Sequence, residues 1–357
     1  MGDELQKVKL AAVQASSVFL DREATVEKAS AIIAEAGAEG ADIIGFPEGF
    51  IPAHPAWYGY QPAAGGKSGP LARELFQNAV EIPGPATEAL SAACRAASIN
   101  AVVGVCEKRP GTNGTMFNTQ LFIGADGKIL GKHQKLAPTV GERLVHTGGW
   151  GDTLTTFPTP FGNVSGLICG ENSNPLAVYV MLAMNSVVHV ASWPPHFGGG
   201  RSMQQTIDAV GPGLARTLCA FVINTGGIVT DELIDLYAAS DADRAHMEQL
   251  KDLGSASIVG PFGNVIAGPM GPGEGILYAD VDLNDVLSAK MNHDFAGHYN
   301  RFDVFKVTVN REVPVALNEE GAMADEAQWP EDSQAALESS NAHVEAHGLP
   351  LAKHRQF

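Results

Sequence analysis

The sequence is poor in positive charge. Its 357 residues include 23 lysines and arginines against 40 aspartates and glutamates, which gives a formal net charge of -17. A chain this acidic repels the phosphates of nucleic acids, and no stretch rich in lysine or arginine offsets the repulsion. We therefore predict that nucleic acid is not a partner of this protein.

Long apolar runs and a basic start are also missing. The apolar run at residues 187–190 contains His189 and is too short to span a bilayer. The first residues, MGDELQKVKLAAVQ, lack the basic region and the apolar core of a signal peptide. We expect a cytoplasmic protein that does not associate with a membrane.

Cysteine is scarce, at four residues, and none are spaced as C-x-x-C or as metal ligands. In a cytoplasmic chain we expect free thiols. Cys94, Cys106 and Cys219 lie in apolar segments, where cysteine packs as a small hydrophobic residue. Cys169 differs, because the apolar run VSGLI ends at it and the polar stretch GENSNP follows. This position predicts a sulfur at the turn after a strand, either as a nucleophile or as a packed side chain.

Motifs for cofactors and metal ions are absent as well. The stretch AAGGKS resembles a phosphate-binding loop, but Gln61 occupies the position of its first glycine. No G-x-G-x-x-G motif follows a strand-like run, and no G-x-S-x-G nucleophile motif occurs. His293 and His298 are five residues apart, which does not match the H-E-x-x-H zinc motif. We predict that the protein needs neither a cofactor nor a metal ion.

The composition favours one large compact unit. Hydrophobic residues make up 45% of the chain and charged residues only 18%, so a sizeable core is available. No linker interrupts residues 1–310, which we predict to form a single domain. After Asn310 the chain becomes rich in acidic residues and alanine. We predict a separate acidic tail at residues 311–357 that is partly disordered or lies at a subunit interface.

Strand-like and helical patterns alternate along this domain. Periodic apolar positions predict helices at residues 23–36, 86–97, 176–184 and 202–220. Turn residues predict hairpins at GADGK and at two PFGN segments, residues 160–163 and 261–264. Taken together, the patterns predict an α/β fold with two sheets flanked by helices. Short apolar runs predict the buried strands, in ADIIGF, AVVGVC, NTQLFI, KILGKHQ, VSGLIC, SVVHVAS, AFVINT, SASIVG and ILYADVD.

Three chemically active residues each follow one of these strand-like runs: Glu48 in GFPEGF, Lys135 in HQKLAPT and Cys169 in LICGENSNP. If the strand ends converge, a carboxylate, an ammonium and a thiol share one pocket, which suits covalent attack on an electrophilic carbon. Taken singly, Glu48 is compatible with a solvated loop and Lys135 with the exposed end of a hairpin. Glu142 is compatible with a loop acid that pairs with Arg143 or Lys135.

The segments around these residues closely resemble the nitrilase superfamily, the carbon-nitrogen hydrolases built on a Glu-Lys-Cys triad. The matching segments are FPEGFIP, KHQKLAPTVGERLVH, CGENSNPLAVY and GHYNRFDVF. The resemblance implies a four-layer αββα sandwich in which Glu48, Lys135 and Cys169 are catalytic. It also implies that Glu142 is the family's second glutamate, which orients the lysine or assists with substrate and water.

Two of these segments, TVGERLVH and GHYNRFDVF, look more like nitrilases than like the amidase and carbamoylase branches. The resemblance then implies that Cys169, with its pKa lowered by Lys135, gives its proton to Glu48 and adds to a nitrile carbon. A thioimidate and a thioester would lead to a carboxylic acid and ammonia, with an amide as a minor product. Three alternatives stay open: an amidase or carbamoylase, a cyanide hydratase or dihydratase, and a catalytically silent assembly or binding protein.

The predicted pocket has one departure from the family pattern. Many nitrilases carry a tryptophan after the cysteine, whereas this chain has Gly170, which predicts a wider pocket and a preference for bulky or α-substituted nitriles. The segment PAHPAWYGYQP is either an aromatic wall of the pocket or a packed surface loop. Members of the family are dimers or larger, often spiral homo-oligomers, so the resemblance implies self-association. The residues predicted to bind substrate are Trp57, Tyr58, Gly170, Glu171, Asn172, Trp193 and His196.

Overall fold

The computed structural model describes residues 5–195 and 203–314. The described residues up to Arg311 belong to one compact unit. Residues 315 to 357, the larger part of the predicted tail, lie outside the described ranges, so the disorder and the interface expected there stay predictions.

Thirteen strands in the described ranges form one hydrogen-bonded system, and each strand-like run of the sequence overlaps one of them. The strands are β1 (Lys7–Gln14), β2 (Ile43–Gly45), β3 (Asn100–Lys108), β4 (Met116–Ile123), β5 (Ile129–Gln134), β6 (His146–Thr147), β7 (Phe157–Thr159), β8 (Gly162–Ile168), β9 (Ser186–Trp193), β10 (Phe221–Gly226), β11 (Ser257–Val259), β12 (Val265–Ala267) and β13 (Gly275–Asp282). The main order is β5-β4-β3-β2-β1-β10-β9-β8-β7. The three predicted hairpins are confirmed as the antiparallel pairs β4 with β5, β7 with β8, and β11 with β12.

The described ranges contain eight α-helices: α1 (Arg22–Ala38), α2 (Ser68–Asn78), α3 (Pro85–Ala97), α4 (Pro175–Ala183), α5 (Met203–Leu218), α6 (Asp231–Tyr237), α7 (Asp241–Glu248) and α8 (Asn284–His293). The four predicted helices are α1, α3, α4 and α5. Asp21 caps α1, because its carboxylate accepts a hydrogen bond from the Ala24 N–H at 2.9 Å. Helices α2, α6, α7 and α8 were not predicted.

Three apolar cores separate four layers of secondary structure. The pleat of β1 shows the division, since Ala11 and Val13 face an outer core while Leu10 and Ala12 face a middle core. The outer core packs α1 and α3 against the β1 to β5 half of the sheet system. The middle core joins this half to the β7 to β10 half. A third core packs α4 and α5 on the far side of the second half, which confirms the αββα sandwich.

The strand directions bring several strand ends to one edge. Strands β2, β1, β10, β9 and β8 are parallel neighbours in turn. Strand β5 is antiparallel to β4, which is antiparallel to β3, so β5 runs in the same direction as β3 and β2. The residues that follow β2, β5 and β8 therefore meet at the carboxyl edge, where ligands of α/β sheets usually bind. No helix in the described ranges is long and apolar enough to cross a membrane.

Candidate active site

Glu48 lies three residues beyond β2 with a fully buried side chain. Its backbone N–H donates to the Trp193 carbonyl at 3.2 Å, which ties the turn to the end of β9. On the other side the turn lies directly on β3 at Gly104, where a methyl group would collide with the Pro47 carbonyl. Residue 104 must be glycine, because a side chain there would displace the backbone that carries Glu48.

Lys135 directly follows β5, and its ammonium lies between two buried carboxylates. Nζ is 2.7 Å from Glu48 Oε1 and 2.7 Å from Glu142 Oε2, and the lysine is only 1% exposed. Asn118 of β4 makes a second bridge, because its Nδ2 donates to Oε1 of both glutamates at 2.7 Å. Glu48 and Lys135 thus meet, as the strand ends predict, and Glu142 pairs with Lys135, one of the two partners that the sequence left open.

Glu142 reaches this cluster from a short 3-10 helix, Val140–Leu144. Its Oε2 also accepts from the Thr139 N–H at 2.8 Å, so the side chain caps the helix that carries it. Its Oε1 lies 3.1 Å from Nδ1 of His146, the first residue of β6. These contacts hold the carboxylate in a single orientation towards Lys135.

Cys169 begins a second 3-10 helix, Cys169–Ser173, immediately after β8. Its φ of +52° is a left-handed conformation that non-glycine residues adopt rarely, and its side chain is half-buried. Glu171 holds the turn in place, because Oε2 accepts from the Ile168 N–H at 3.0 Å and Oε1 from the Leu136 N–H at 2.8 Å. One carboxylate therefore joins the residue before Cys169 to the residue after Lys135.

The two glutamates of the cluster have opposite pKa shifts. Burial raises the pKa of Glu48 to about 7, and the Glu142 carboxylate adds to the increase against the effects of Lys135 and Asn118. For Glu142 burial also acts to raise the pKa, but the His146 hydrogen bond and the Lys135 charge hold it below its ordinary value. For Lys135 burial acts to lower the pKa, yet the two carboxylates outweigh it and raise it. Glu48 is therefore the group that exchanges a proton near neutral pH.

The pKa of the Cys169 thiol is raised. Burial is the largest cause and the Glu48 carboxylate the next, while Lys135 and a hydrogen bond from the Gly170 N–H act to lower it. Lys135 thus acts to lower the thiol pKa, as predicted, but burial outweighs this effect. At neutral pH the resting sulfur carries its proton, so an attack by this sulfur needs a base at the moment of reaction.

A family model described as carbon-nitrogen hydrolase matches residues 9–291 of the chain. The chain belongs to the carbon-nitrogen hydrolase family. It is similar to Nitrilase 2 from an unknown prokaryotic organism, with 34% identity over 332 residues that cover 90% of this chain and 99% of that protein. It is also similar to an aliphatic nitrilase from Rhodococcus rhodochrous, with 35% identity over 321 residues that cover 87% of this chain and 84% of the relative.

A solved structure shows the same fold. The carbon-nitrogen hydrolase from Helicobacter pylori G27 has a TM-score of 0.66 and 18% identity, over 84% of this chain and 97% of that one. This chain is thus a hydrolase of carbon-nitrogen bonds and is placed among the nitrilases by its relatives. A second family model, described as post-segregation antitoxin CcdA, matches residues 305–357 only, a stretch too short to show a family.

The predicted aromatic residues of this carbon-nitrogen hydrolase occupy different environments. Trp57 is fully buried in a side core, 6.0 Å from the Tyr237 ring. The Trp193 indole is also fully buried and donates to Asn224 Oδ1 at 3.1 Å. Tyr58 is half-buried and packs against Gly141, next to Glu142. The substrate contacts expected of the two indoles stay predictions, which these packed positions do not favour.

The remaining predicted pocket residues lie around Cys169 or outside the described ranges. Gly170 is exposed, and a methyl group there would meet no heavy atom within 4 Å. Asn172 is buried, with its amide turned towards the backbone of the Cys169 turn. His196 lies between the described ranges. Its contact with substrate stays a prediction, as do those of Gly170, Glu171 and Asn172.

Sequence reasoning missed three polar residues of the site: Asn118, His146 and His54. His54 Nδ1 lies 3.6 Å from Glu48 Oε1, and burial lowers the pKa of His54 to about 3, so its ring is neutral. Asn118 had a usable signal, because NTQ interrupts an otherwise apolar strand. Within the described ranges, no group of three or more His, Cys, Asp or Glu could hold a metal ion.

Proposed function

We propose that this carbon-nitrogen hydrolase is a nitrilase that converts an organic nitrile and two waters to a carboxylic acid and ammonia, with Glu48, Lys135 and Cys169 as its catalytic residues. The observation that carries the proposal is the difference between the two oxygens of Glu48. Oε1 accepts from Lys135 and Asn118, whereas the buried Oε2 has no hydrogen-bond partner among the described residues. A buried acceptor is normally bonded, so we assign Oε2 to the reacting thiol and water.

In the first step, Cys169 gives its proton to Glu48 and the sulfur forms a bond to the nitrile carbon. One carbon-nitrogen bond of the triple bond breaks, and its electron pair moves to nitrogen. Lys135 has three N–H groups, of which Glu48 and Glu142 engage two, so the third is available for this nitrogen. The Gly170 N–H, on the side of the Cys169 sulfur, is a second donor that stabilises this nitrogen. Return of the proton from Glu48 to nitrogen gives a thioimidate.

Water completes the reaction in two further steps. A first water gives a proton to Glu48 and adds its oxygen to the thioimidate carbon. That proton passes to nitrogen and gives a tetrahedral intermediate with one hydroxyl and one NH2 group. The proton of the hydroxyl then passes through Glu48 to nitrogen, so ammonia leaves and a thioester remains. A second water, deprotonated by Glu48, releases the acid and restores the thiol. Loss of the thiol from the tetrahedral intermediate would instead release an amide, so we expect some amide product.

The other buried glutamates serve positioning roles in this proposal. Glu142 and Asn118 hold Lys135 and Glu48 in contact, and the low pKa of Glu142 keeps its charge opposite the ammonium. Both oxygens of Glu171 bond to the backbone, and Oε2 also lies 3.0 Å from His133 Nε2. We therefore propose that Glu171 aligns the cysteine turn with the lysine segment.

A substrate panel tests the proposal. Ammonia release would be measured, with products identified by chromatography, from arylacetonitriles, aromatic nitriles, aliphatic nitriles, cyanide and matched amides. The Cys169→Ala variant is the blank. We expect acid and ammonia from organic nitriles and none in the variant, because the alanine has no nucleophile. Turnover of amides alone would indicate an amidase or carbamoylase, and turnover of cyanide alone a cyanide hydratase or dihydratase. Inactivity throughout would favour the silent assembly or binding protein.

The same panel tests substrate size. The open space beside Gly170 supports a preference for bulky or α-substituted nitriles, because no side chain crowds the reacting carbon from that position. We expect arylacetonitriles to have the higher kcat/KM. Much faster turnover of small aliphatic nitriles would contradict this preference.

We also propose that the enzyme acts as a homo-oligomer, a dimer or a larger spiral assembly, in the cytoplasm. An apolar groove of about 760 Å³ lies between α4, α5 and the segment 295–307, and Leu176 and Phe305 in its lining are 62% and 68% exposed. Apolar surface of this kind favours association. All four cysteines are free, which fits a reducing compartment. Light scattering should give a multiple of 37.4 kDa, and a monomer mass would contradict the proposal.

A further inference from the structure

The amide of Asn172 has only one possible orientation. Its Nδ2 lies 3.1 Å from the Leu167 carbonyl and 3.0 Å from the Cys169 carbonyl, and both oxygens accept only. The nitrogen must therefore face them, and Oδ1 must face His189 Nε2 at 2.9 Å. The Asn172 side chain is thereby bonded to the backbone on both sides of Ile168.

His189 fixes the direction of the next hydrogen bonds. Asn172 Oδ1 is an acceptor, so His189 must donate from Nε2. Burial, with a smaller effect of His133, lowers the pKa of His189 to about 3, so the ring is neutral and its Nδ1 carries no proton. Nδ1 then accepts from Ser165 Oγ at 2.7 Å. Each hydrogen bond in this series therefore points the same way: Ser165 donates to His189, His189 to Asn172, and Asn172 to the Cys169 carbonyl.

The last hydrogen bond of this series, from Asn172 to the Cys169 carbonyl, fixes the plane of the Cys169–Gly170 peptide. In a trans peptide the C=O and the following N–H point in opposite directions, so a Cys169 carbonyl held by Asn172 turns the Gly170 N–H the other way. That N–H is on the side of the Cys169 sulfur, where it acts to lower the pKa of the thiol. Cys169 also has the left-handed φ of +52°, a conformation that persists only where surrounding contacts hold it.

We propose that His189 and Asn172 are positioning residues of the reaction, which hold the Cys169–Gly170 peptide so that the Gly170 N–H faces the sulfur and the nitrogen that becomes negative. The inference rests on the proposed nitrilase function. It goes beyond that function because His189 touches no reacting atom and acts two hydrogen bonds away from the nucleophile.

The test compares His189→Leu with His189→Gln. Leucine removes both ring hydrogen bonds at similar volume, whereas the glutamine amide retains an N–H donor close to the position of Nε2. We expect kcat to fall about 10- to 100-fold in His189→Leu, somewhat less than for outright loss of an oxyanion donor, with KM within about threefold of the wild-type value. We expect His189→Gln to recover most of kcat. Should His189→Leu not fold, His189→Asn replaces it, since its amide is one methylene too short to reach Asn172.

A second readout does not depend on nitrile turnover. The rate of Cys169 alkylation by iodoacetamide would be followed against pH by mass spectrometry. Loss of the Gly170 N–H from the sulfur should move the midpoint to higher pH in His189→Leu and not in His189→Gln, because that hydrogen bond acts to lower the thiol pKa. A shift without nitrile turnover in the wild type would support the positioning role while contradicting the proposed function.

Asn100→Leu is the matched control. Asn100 is a buried amide at the opposite end of β3, where Nδ2 donates to the Asp42 carbonyl and Oδ1 accepts from the Ala125 N–H. It should lower stability and leave kcat and the alkylation midpoint unchanged. A wild-type kcat and midpoint in folded His189→Leu, or equal effects in Asn100→Leu, would overturn the proposal.

Discussion

Replacement of Lys135 by methionine is expected to abolish nitrile turnover and to destabilise the fold at the same time. The ammonium is 1% exposed and lies 2.7 Å from Glu48 Oε1 and from Glu142 Oε2. Methionine is similar in length and carries no charge, so the variant leaves two buried carboxylates without a counter-charge. Removal of one partner from a buried ion pair costs about 3–5 kcal/mol, and we expect a loss of this size in the free energy of unfolding.

The loss of turnover has two causes in the same variant. Lys135 supplies the positive N–H donor for the nitrogen that becomes negative, and loss of such a donor lowers the rate about 10²- to 10³-fold. Lys135 also acts to lower the pKa of Glu48, so its loss raises that pKa further and less of the base is ionised at neutral pH. We expect the kcat/KM of Lys135→Met to fall on the order of 10³-fold or more.

Ammonia release and urea unfolding measure the two effects separately, and Lys132→Met provides the control. Lys132 lies on β5, the strand that Lys135 follows, and pairs with Glu107, whose side chain is also fully buried. Thr119 and Gln134 also donate to the Glu107 carboxylate. They follow and precede Asn118 and Lys135 in sequence, so the Glu107 group lies on the opposite face from the site. Lys132→Met should therefore lose stability and keep its turnover per folded molecule. Equal losses of turnover in both lysine variants would contradict the assignment of Lys135.

The sequence allows the main site residues to be predicted because their positions follow from strand direction. Glu48, Lys135 and Cys169 each come directly or almost directly after a strand, and the structure brings those strand ends to one edge. The apolar runs and turn residues likewise predict the strands and hairpins. Helices such as α2 and α7 were not predicted, because their few buried positions make the apolar periodicity hard to detect.

Side-chain direction limits what can be predicted within the site. Asn172 directly follows Glu171, yet both side chains turn back to the protein backbone, and adjacency to Cys169 does not reveal this. His189 lies inside a strand whose residues are all buried, so no alternation marks it as polar and bonded. Trp193 ends that strand beside Glu48, but only the fold shows that its backbone, not its indole, contacts the glutamate.

Replacement of Glu48 by glutamine is expected to remove the base while preserving the fold. Oε1 of the glutamine can accept from Lys135 and Asn118 as the carboxylate does. The amide nitrogen takes the place of Oε2, which has no partner among the described residues, so no hydrogen bond is lost. General base catalysis contributes about 10²- to 10⁴-fold, and we expect kcat/KM to fall within that range.

The pH dependence separates loss of the base from a general loss of activity. In the wild type, kcat/KM should fall as the pH drops below about 7, because protonated Glu48 cannot take the proton of Cys169. Residual activity of Glu48→Gln should lack this decrease. Glu107→Gln, which neutralises the buried carboxylate on the other face, should retain it. A decrease near pH 7 that persists in Glu48→Gln would show that another group controls the rate.

The raised pKa of Glu48 also predicts how stability depends on pH. In the folded chain Glu48 keeps its proton up to a pH of about 7, but in the unfolded chain only up to its ordinary value of 4.5. Between these values the folded state binds more protons, so the contribution of Glu48 to stability decreases as the pH rises through this window. Glutamine does not titrate, so the free energy of unfolding of Glu48→Gln, relative to the wild type, should increase between about pH 5 and about pH 8. A constant difference across this range would mean that burial does not raise the pKa of Glu48, and the proton transfer assigned to it would lose its physical basis.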